Sequence, residues 1–478
     1  MNKTNDQAID FGNIVLFLAI GILTTAAGML FIKASTLVTV AIIIGIIIAI
    51  ISFVNTEVAL YILIIAMLLG PQFTAGPGDA FAARGRGGLT LRFDDFLLVV
   101  VGFSWFLRTA INKELGLFPS TPLTKPIGWY FAACLLATLF GYFFGRVKTI
   151  AGAFFVLKYF EYFIIYFIAI NHLREKKQMK RFVFTLLIVC FIVCLVAIYQ
   201  IPGGARATAP FEGPEGEPNT LGGYLVLMLS ISLGLILNYG SKMKKIALAA
   251  LIVFILVSLA ATLSRSSWLS LVPMIFILIY LSKKKLIIII PLMIIVAMSP
   301  VIITKNVKDR ALFTVTQSPE EGQLRIGGAR IDTSTSARLE SYRMVLTRDF
   351  IKHPLLGHGV TGYSFVDGQY PKVLADTGLI GFFTFIFLLY VAYKNALIAY
   401  RKTKDPFFSG LSLGYLAGLI AMLVHAIGAN TFIIVRIMEP FWFLTAMVIM
   451  IPSIEAHERQ EQPQTGKLAR TKIALKHS

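Results

Sequence analysis

Residues Ser241–Lys285 read SKMKKIALAALIVFILVSLAATLSRSSWLSLVPMIFILIYLSKKK. Two apolar runs, about 246–263 and 267–281, are flanked by lysines and separated only by the short polar step at Ser264–Ser267. A helix needs about 20 mostly apolar residues to cross the hydrocarbon of a bilayer. The stretch therefore predicts two spans that leave one side of a membrane and return to it. Lysine and arginine collect in short cytoplasmic loops, so both lysine clusters are expected inside and Arg265 at the opposite face.

The same pattern extends in both directions. Further apolar runs lie at about 12–32, 35–54, 57–71, 93–107, 127–145, 150–171, 181–201 and 220–238, then at 286–303, 374–394, 407–427 and 430–452. With the first two they make about fourteen, three of them short (57–71, 93–107 and 267–281). The predicted fold is an all-α polytopic membrane protein of about 12–14 transmembrane helices. Composition agrees, since 57% of the 478 residues are hydrophobic and only 14% charged, against roughly 45–50% and about 25% in soluble domains. That excludes a cytoplasmic enzyme.

A formal charge of +19 would point to nucleic acid in a soluble protein. Here basic cytoplasmic loops account for it, and no nucleic-acid partner is expected. Cys134, Cys190 and Cys194 lie in apolar runs without CxxC spacing, so neither a disulfide framework nor a metal site is predicted. Nucleotide, dinucleotide and zinc-protease motifs are missing too, and no cofactor is expected. Polar Met1–Asp10 leads directly into a run long enough to span, which argues against a cleavable signal peptide. No internal repeat supports an inverted-repeat transporter.

His172–Arg181 (HLREKKQMKR) and Lys394–Lys404 are the other basic connectors. Counting spans places all four on the cytoplasmic side, together with both termini. Four segments follow: residues 1–303 with about 11 spans, an extracytoplasmic loop at 304–373, about three further spans at 374–452, and a basic cytoplasmic tail at 453–478. The long loop exceeds the usual connection of about 4–6 residues many times over. Within it Leu339, Tyr342, Leu346 and Phe350 recur at helical spacing. They predict an amphipathic helix capped by Thr333–Ser336 and ended by His353-Pro354 and Gly357, lying on the outer membrane surface or over a cavity.

The outer segments hold the residues that can do chemistry. Pro202–Asn219 (PGGARATAPFEGPEGEPN) reads either as a plain polar loop or as a phosphate- and sugar-contacting loop with Arg206 as the phosphate fork. Arg265 in LSRSSW either snorkels to the interface or, flanked by hydroxyls, meets a pyrophosphate headgroup. Arg343 and Arg348 read as solvated, while Arg338 sits at a helix start, where backbone donors and the dipole favour an anion. Lys158 with Glu161, and Arg436 with Glu439, are spaced to pair within spans, and Asp94 and Asp95 balance Arg92. A general base can come from His353, His358, Asp367 or the loop glutamates; Asp367, before Tyr370 and an apolar span, is placed at a cavity mouth.

In order, Pro218-Asn219, Ser264-Arg265, Ser336-Ala337-Arg338, His353-Pro354-Leu355-Leu356-Gly357-His358-Gly359 and Ala375-Asp376-Thr377-Gly378-Leu379-Ile380-Gly381 resemble the O-antigen ligase and Wzy-type polysaccharide polymerase superfamily. The resemblance runs from about Arg206 to Gly381. It implies a GT-C-like membrane fold and metal-independent, inverting glycosyl transfer at the outer face of the bacterial cytoplasmic membrane. The donor would be an oligosaccharide on undecaprenyl pyrophosphate, with a flippase and a chain-length regulator as possible partners.

Carried over by position, Arg206 and Arg265 hold the leaving pyrophosphate and Arg338 lines the same site. Ligases of the superfamily carry a His-Asn pair followed two residues later by an aromatic, eight residues before the acidic-x-Gly step; here the stretch reads Asp367-Gly368-Gln369-Tyr370, with Asp367 in place of the histidine. A polymerase is therefore the leading expectation and a ligase the alternative, with a lipid-linked oligosaccharide flippase as a rival of another class. The expected catalytic set is Asp367, Arg265 and Arg206. Arg338, Glu217, Asn219, Tyr370, His353 and Arg436 are expected to bind substrate.

Overall fold

A computed structural model describes residues 54–74, 90–112, 119–147, 151–290 and 305–474, with a few isolated positions at 47–51 and 293. Residues 205, 213–215, 319, 321–322, 327–328 and 365 within those ranges are not described. The spans expected at 12–32 and 35–54, most of 286–303, and Glu215 lie outside the described residues. What is described is an all-α polytopic membrane protein, with two short antiparallel ladders (72–74 with 90–92, and 325–326 with 329–330) as its only strands among the described residues.

Seven described helices are long and apolar enough to cross a membrane: Thr124–Phe143, Lys176–Gly203, Pro218–Asn238, Lys242–Ala261, Gln369–Lys402, Pro406–His425 and Val435–Arg459. Thr56–Leu69 and Arg265–Leu281 are shorter apolar helices. Phe93–Asn112 and Ala151–His172 also form, at two of the expected spans; the first carries the buried Asp94 and Asp95, the second the half-buried Lys158 and Glu161.

The packing centre is the pair Pro218–Asn238 and Pro406–His425, both almost wholly buried. Small residues at a four-residue spacing explain it. A Cβ on Gly234 would meet the Gly410 carbonyl at 2.3 Å, one on Gly414 the Ser230 carbonyl at 2.6 Å, and one on Gly418 the Ser230 hydroxyl at 2.4 Å. Without side chains there the two backbones touch, which is how helices associate when lipid offers no hydrophobic gradient.

The basic connectors meet at one end of the bundle. Lys176 pairs with Asp405, Lys180 lies over the Tyr239 and Phe407 rings, Lys284 donates to the Leu237 carbonyl and Tyr400 to the Leu281 carbonyl. The grouping expected from the lysine-rich loops is therefore present as contacts. The Arg206 loop, the Ser264 junction and the 305–367 segment gather at the other end.

The helix expected from Leu339, Tyr342, Leu346 and Phe350 runs from Thr333 to Lys352 through a π-turn at Val345–Asp349. Its N-cap is Asp332, one residue before the predicted Ser/Thr run, because the Asp332 carboxylate accepts from the Thr335 N–H at 3.2 Å. The apolar stripe is not a single buried face. Leu339 and Leu346 are exposed, and Val345, brought inward by the π-turn, packs with Val366, Leu374 and Ala375 instead.

Of the two pairs expected within spans, Lys158 with Glu161 forms and Arg436 with Glu439 does not. Lys158 is nearer Asp95 (2.5 Å) than Glu161 (4.0 Å). Asp94 and Asp95 do pair with Arg92, at 3.6 and 4.0 Å. Arg436 does not pair with Glu439: its guanidinium turns to Glu212 at 3.6 Å and to the Pro210 and Leu68 carbonyls at 2.7 and 3.2 Å. Backbone carbonyls at a chain crossing, together with the Glu212 carboxylate, satisfy more of the guanidinium's donors than one carboxylate a turn away.

Candidate active site

Four backbone features build the site end of the bundle. Gly204, at φ +71°, closes the turn after the Lys176–Tyr199 helix. The Gln200 side chain then brackets Thr208, accepting its N–H at 2.9 Å and donating to its carbonyl at 3.2 Å. Ala207 donates to the Ala261 carbonyl at 3.0 Å, which lays the loop across the end of the Lys242–Ala261 helix. Ser264 then caps the Arg265–Leu281 helix, so Arg265 occupies its first turn.

Arg206 reaches from the loop to the Thr262 and Leu263 carbonyls (3.0 and 3.3 Å), which the helix end leaves without partners. Arg310, on the Lys305–Thr316 helix, donates to the same Leu263 carbonyl at 3.4 Å. The Arg265 fork holds both oxygens of Asp332 at 2.8 Å, and that aspartate's side chain is fully buried. Arg338 donates to Asp367 at 2.8 Å.

The charges of these groups reach one another. Burial, then Arg310, Arg265 and Arg338, push the Arg206 guanidinium down to about 10. Burial and the Arg265 and Arg338 charges lower Arg310 as well, with Asp332 acting against them. Burial alone would raise Asp332, but the Arg265 fork and two hydrogen bonds from Thr335 win and hold it at about 2. Four guanidiniums therefore face two ion-paired aspartates, an excess of positive charge that suits a multiply charged anion.

Glu217 stands at the N-cap of the Pro218–Asn238 helix, on an exposed rim. Surrounding protein and the nearby Asp367 charge raise its carboxyl, and Arg338 opposes them. Glu212 is more deeply set and is pushed up to about 7 by burial, against the pull of Arg436. It also accepts the Glu217 N–H at 3.1 Å, so Arg436, Glu212 and Glu217 tie the loop to the bundle beneath it.

Some expected site residues lie elsewhere. His353 stacks edge-on against His358 with ring centres 4.8 Å apart, and burial with the Arg146 charge lowers its proton affinity. No described contact joins it to the arginines. The two C-terminal motifs instead pair with each other through the backbone. His358 N–H donates to Ala375 (2.9 Å), Gly359 to Asp376 (2.8 Å), Leu379 to Pro354 (2.8 Å) and Ile380 to Leu355 (3.2 Å).

That pairing needs Gly378 at φ +61°, ψ −161°, where the Gln369–Lys402 helix breaks, and Gly357 at φ +63°. Such a backbone is essentially glycine-only at Gly378. The two motifs thus form a backbone clasp, with Gly357, Gly359 and Ala375–Gly378 buried at its centre and Leu355 and Ile380 exposed at its edge. Tyr370 donates to the Leu423 carbonyl at 2.5 Å, tying the start of its helix to the Pro406–His425 helix. Arg436 is 2% exposed and supports the loop from below.

The structure brings together Arg206, Arg265, Arg338, Asp367 and Glu217, and places Asn219 beside Ser264 at 2.7 Å. Two members were not singled out from the sequence. Asp332 carries a usable signal, an aspartate directly before Thr-Ser-Thr-Ser at a helix start. Arg310, in KNVKDRALF, carries none beyond its place in the long outer loop.

Comparison with known families then bears on the identity of these pieces. Residues 250–386, less than a third of the chain, match the family model described as O-Antigen ligase. The match takes in Arg265, Arg310, Asp332, Arg338, Asp367 and the clasp, and it supports the superfamily resemblance. No curated protein matches the chain.

Proposed function

We propose that this chain is a membrane glycosyltransferase of the polymerase type, acting on lipid-linked glycans. In this reading the growing glycan leaves its undecaprenyl pyrophosphate and joins a sugar hydroxyl of a new lipid-linked repeat unit. The observation that carries it is the convergence of Arg206, Arg265, Arg310 and Arg338 with their charge only half balanced. A departing pyrophosphate gains negative charge as the glycosidic bond breaks, and fixed donors in a partly dry site stabilise that charge most where they need no rearrangement.

The reaction balances without further reagents. The acceptor oxygen attacks the anomeric carbon, the bond to pyrophosphate breaks, and configuration inverts. The acceptor proton passes to Asp367, which Arg338 aligns, and Glu217 with its raised proton affinity is the next station. No metal takes part in this scheme. We place the site at the outer face of a bacterial inner membrane with both termini inside, the long 304–373 segment forming its roof. A flippase and a chain-length regulator are proposed neighbours.

The family description favours a second reading, in which the same arginines serve a ligase that transfers the glycan to lipid A-core. Purified protein in nanodiscs, given one lipid-pyrophosphate-linked repeat as sole substrate, separates the two. A product ladder without further acceptor supports the polymerase. Product only after lipid A-core is added overturns it in favour of the ligase.

A further inference from the structure

A chain of buried polar groups behind Asn219 takes no part in the scheme above. His425, Ser267, Ser264 and Thr431 are all 0–1% exposed. Thr431 Oγ1 lies 2.7 Å from His425 Nδ1, and His425 Nε2 lies 3.0 Å from Ser267 Oγ. Ser267 Oγ is 2.8 Å from Ser264 Oγ, which is 2.7 Å from Asn219 Oδ1. Two glycines make the room. A Cβ on Gly222 would stand 2.1 Å from Ser267 Oγ, and one on Gly223 3.1 Å from His425 Cε1.

Proton counting gives this chain a direction. Each hydroxyl has one proton to donate, and a neutral imidazole one N–H. A doubly protonated ring would bury a charge at full desolvation with only hydroxyls in hydrogen-bond contact. The Asn219 oxygen can only accept, so Ser264 donates to it and Ser267 donates to Ser264. His425 Nε2–H then donates to Ser267, and Nδ1 accepts from Thr431. With its oxygen on the serines, the Asn219 amide has its NH2 free of them, and the residue itself stands in the first turn of the helix that Glu217 caps. Running the chain backwards requires the Nδ1–H tautomer and presents the Asn219 carbonyl instead. Ser266 Oγ branches the chain, 3.2 Å from Ser264 Oγ and 3.5 Å from Asn219 Oδ1, so the ring tautomer biases the exposed end of the amide, and the Ser266 contact to the Asn219 oxygen favours the same orientation.

We propose that His425 is a positioning residue whose Nε2–H tautomer, passed on through Ser267 and Ser264, holds the Asn219 NH2 toward the arginine site as a donor to a diphosphate oxygen. The inference rests on the diphosphate reading above and narrows it. An NH2 group selects a phosphate oxygen, whereas a carbonyl would select a sugar hydroxyl.

The test uses full-length protein in nanodiscs, titrated calorimetrically with inorganic pyrophosphate. Asn219→Asp keeps the acceptor toward Ser264 but replaces the donor with an anion, and should weaken binding at least about tenfold. His425→Leu should weaken it by about three- to tenfold. His425→Gln, whose NH2 can reach Ser267, should restore most of the loss. Should His425→Leu not fold, Ser267→Ala breaks the same link by removing one oxygen. Nitrogen-15 histidine spectra, with His425 assigned by difference from His425→Gln, should show the Nε2–H tautomer.

The Nδ1–H tautomer, or unchanged binding by Asn219→Asp, overturns this inference and leaves the diphosphate reading standing. A wild-type protein that does not bind pyrophosphate overturns both.

Discussion

Replacing Asp367 with asparagine separates a catalytic carboxylate from a mere counter-ion to Arg338. The pair is close at 2.8 Å, but its side chains remain 22% and 35% exposed. Ion pairs so open to water are worth roughly 0.2–1 kcal/mol. Asparagine keeps the shape and an acceptor oxygen for Arg338, so unfolding should shift by less than about 1 kcal/mol. A positioned base contributes about 10²- to 10⁴-fold, or roughly 3–5 kcal/mol of barrier. The expected loss of rate therefore exceeds the loss of stability several times over. The assay is the initial rate of ladder growth in nanodiscs, with thermal unfolding of the same preparation. Pyrophosphate affinity should hold or rise, since Arg338 loses a competing anion. A rate within about threefold of wild type would refute Asp367 as the base, and Glu217→Gln would then be the variant that stops growth.

Other perturbations follow from the same geometry. Arg265→Ala leaves the fully buried Asp332 with only its two Thr335 hydrogen bonds, which should cost up to about 3–5 kcal/mol; adding Asp332→Ala should recover part of that by thermal melt, less about 1 kcal/mol for the lost helix cap, but not ladder growth, and recovery of growth would remove Arg265 from the site. Glu212, pushed to about 7 by burial, binds a proton in the folded loop that the open loop, near about 4.3, gives up. Its stabilisation is complete below about pH 4.3 and is lost as pH rises through about 7, by on the order of 3 kcal/mol. Protease resistance of the 206–217 loop should fall over that window and become flat in Glu212→Gln; a rise would reverse the assignment. Gly378→Ala puts a Cβ 2.4 Å from the Leu355 carbonyl at φ +61° and should lose at least about 1–3 kcal/mol by thermal melt, and wild-type stability would show that the clasp is dispensable.

Much of this architecture was legible because lipid imposes a strict code. A run of about 20 apolar residues between basic loops reads as a span whatever its neighbours do, and the described helices follow such runs closely. Pairings across the fold were less legible. Arg436 and Glu439 have the spacing of a helix pair, yet the nearer unpaired groups came from Leu68 and Pro210, hundreds of residues away in sequence. Arg310 enters the site through the carbonyl of Leu263, a residue in a left-handed turn. Neither fact has a local signature. The same holds for the His353–Gly359 and Ala375–Gly381 motifs, whose backbone pairing shows only once both are folded.

That division bears on how the arginines work. Arg206 and Arg310 both donate to carbonyls at the end of the Lys242–Ala261 helix, and Arg265 begins the next helix with its fork on a buried carboxylate. Each guanidinium is therefore fixed by backbone or by a buried group before any substrate arrives. Burial first, and then the repulsion of Arg310, Arg265 and Arg338, lowers Arg206, and that repulsion is already present in the folded state, held in place by the packing of the helices. A bound diphosphate relieves that repulsion in addition to accepting hydrogen bonds, and the relief grows as negative charge builds on the leaving group. Site rigidity and leaving-group stabilisation thus have one origin in the crossing of two helix ends. A variant that loosens this crossing without removing an arginine, such as Gln200→Ala at the Thr208 bracket, should slow chain growth through weaker transition-state stabilisation while leaving the charge of the site unchanged.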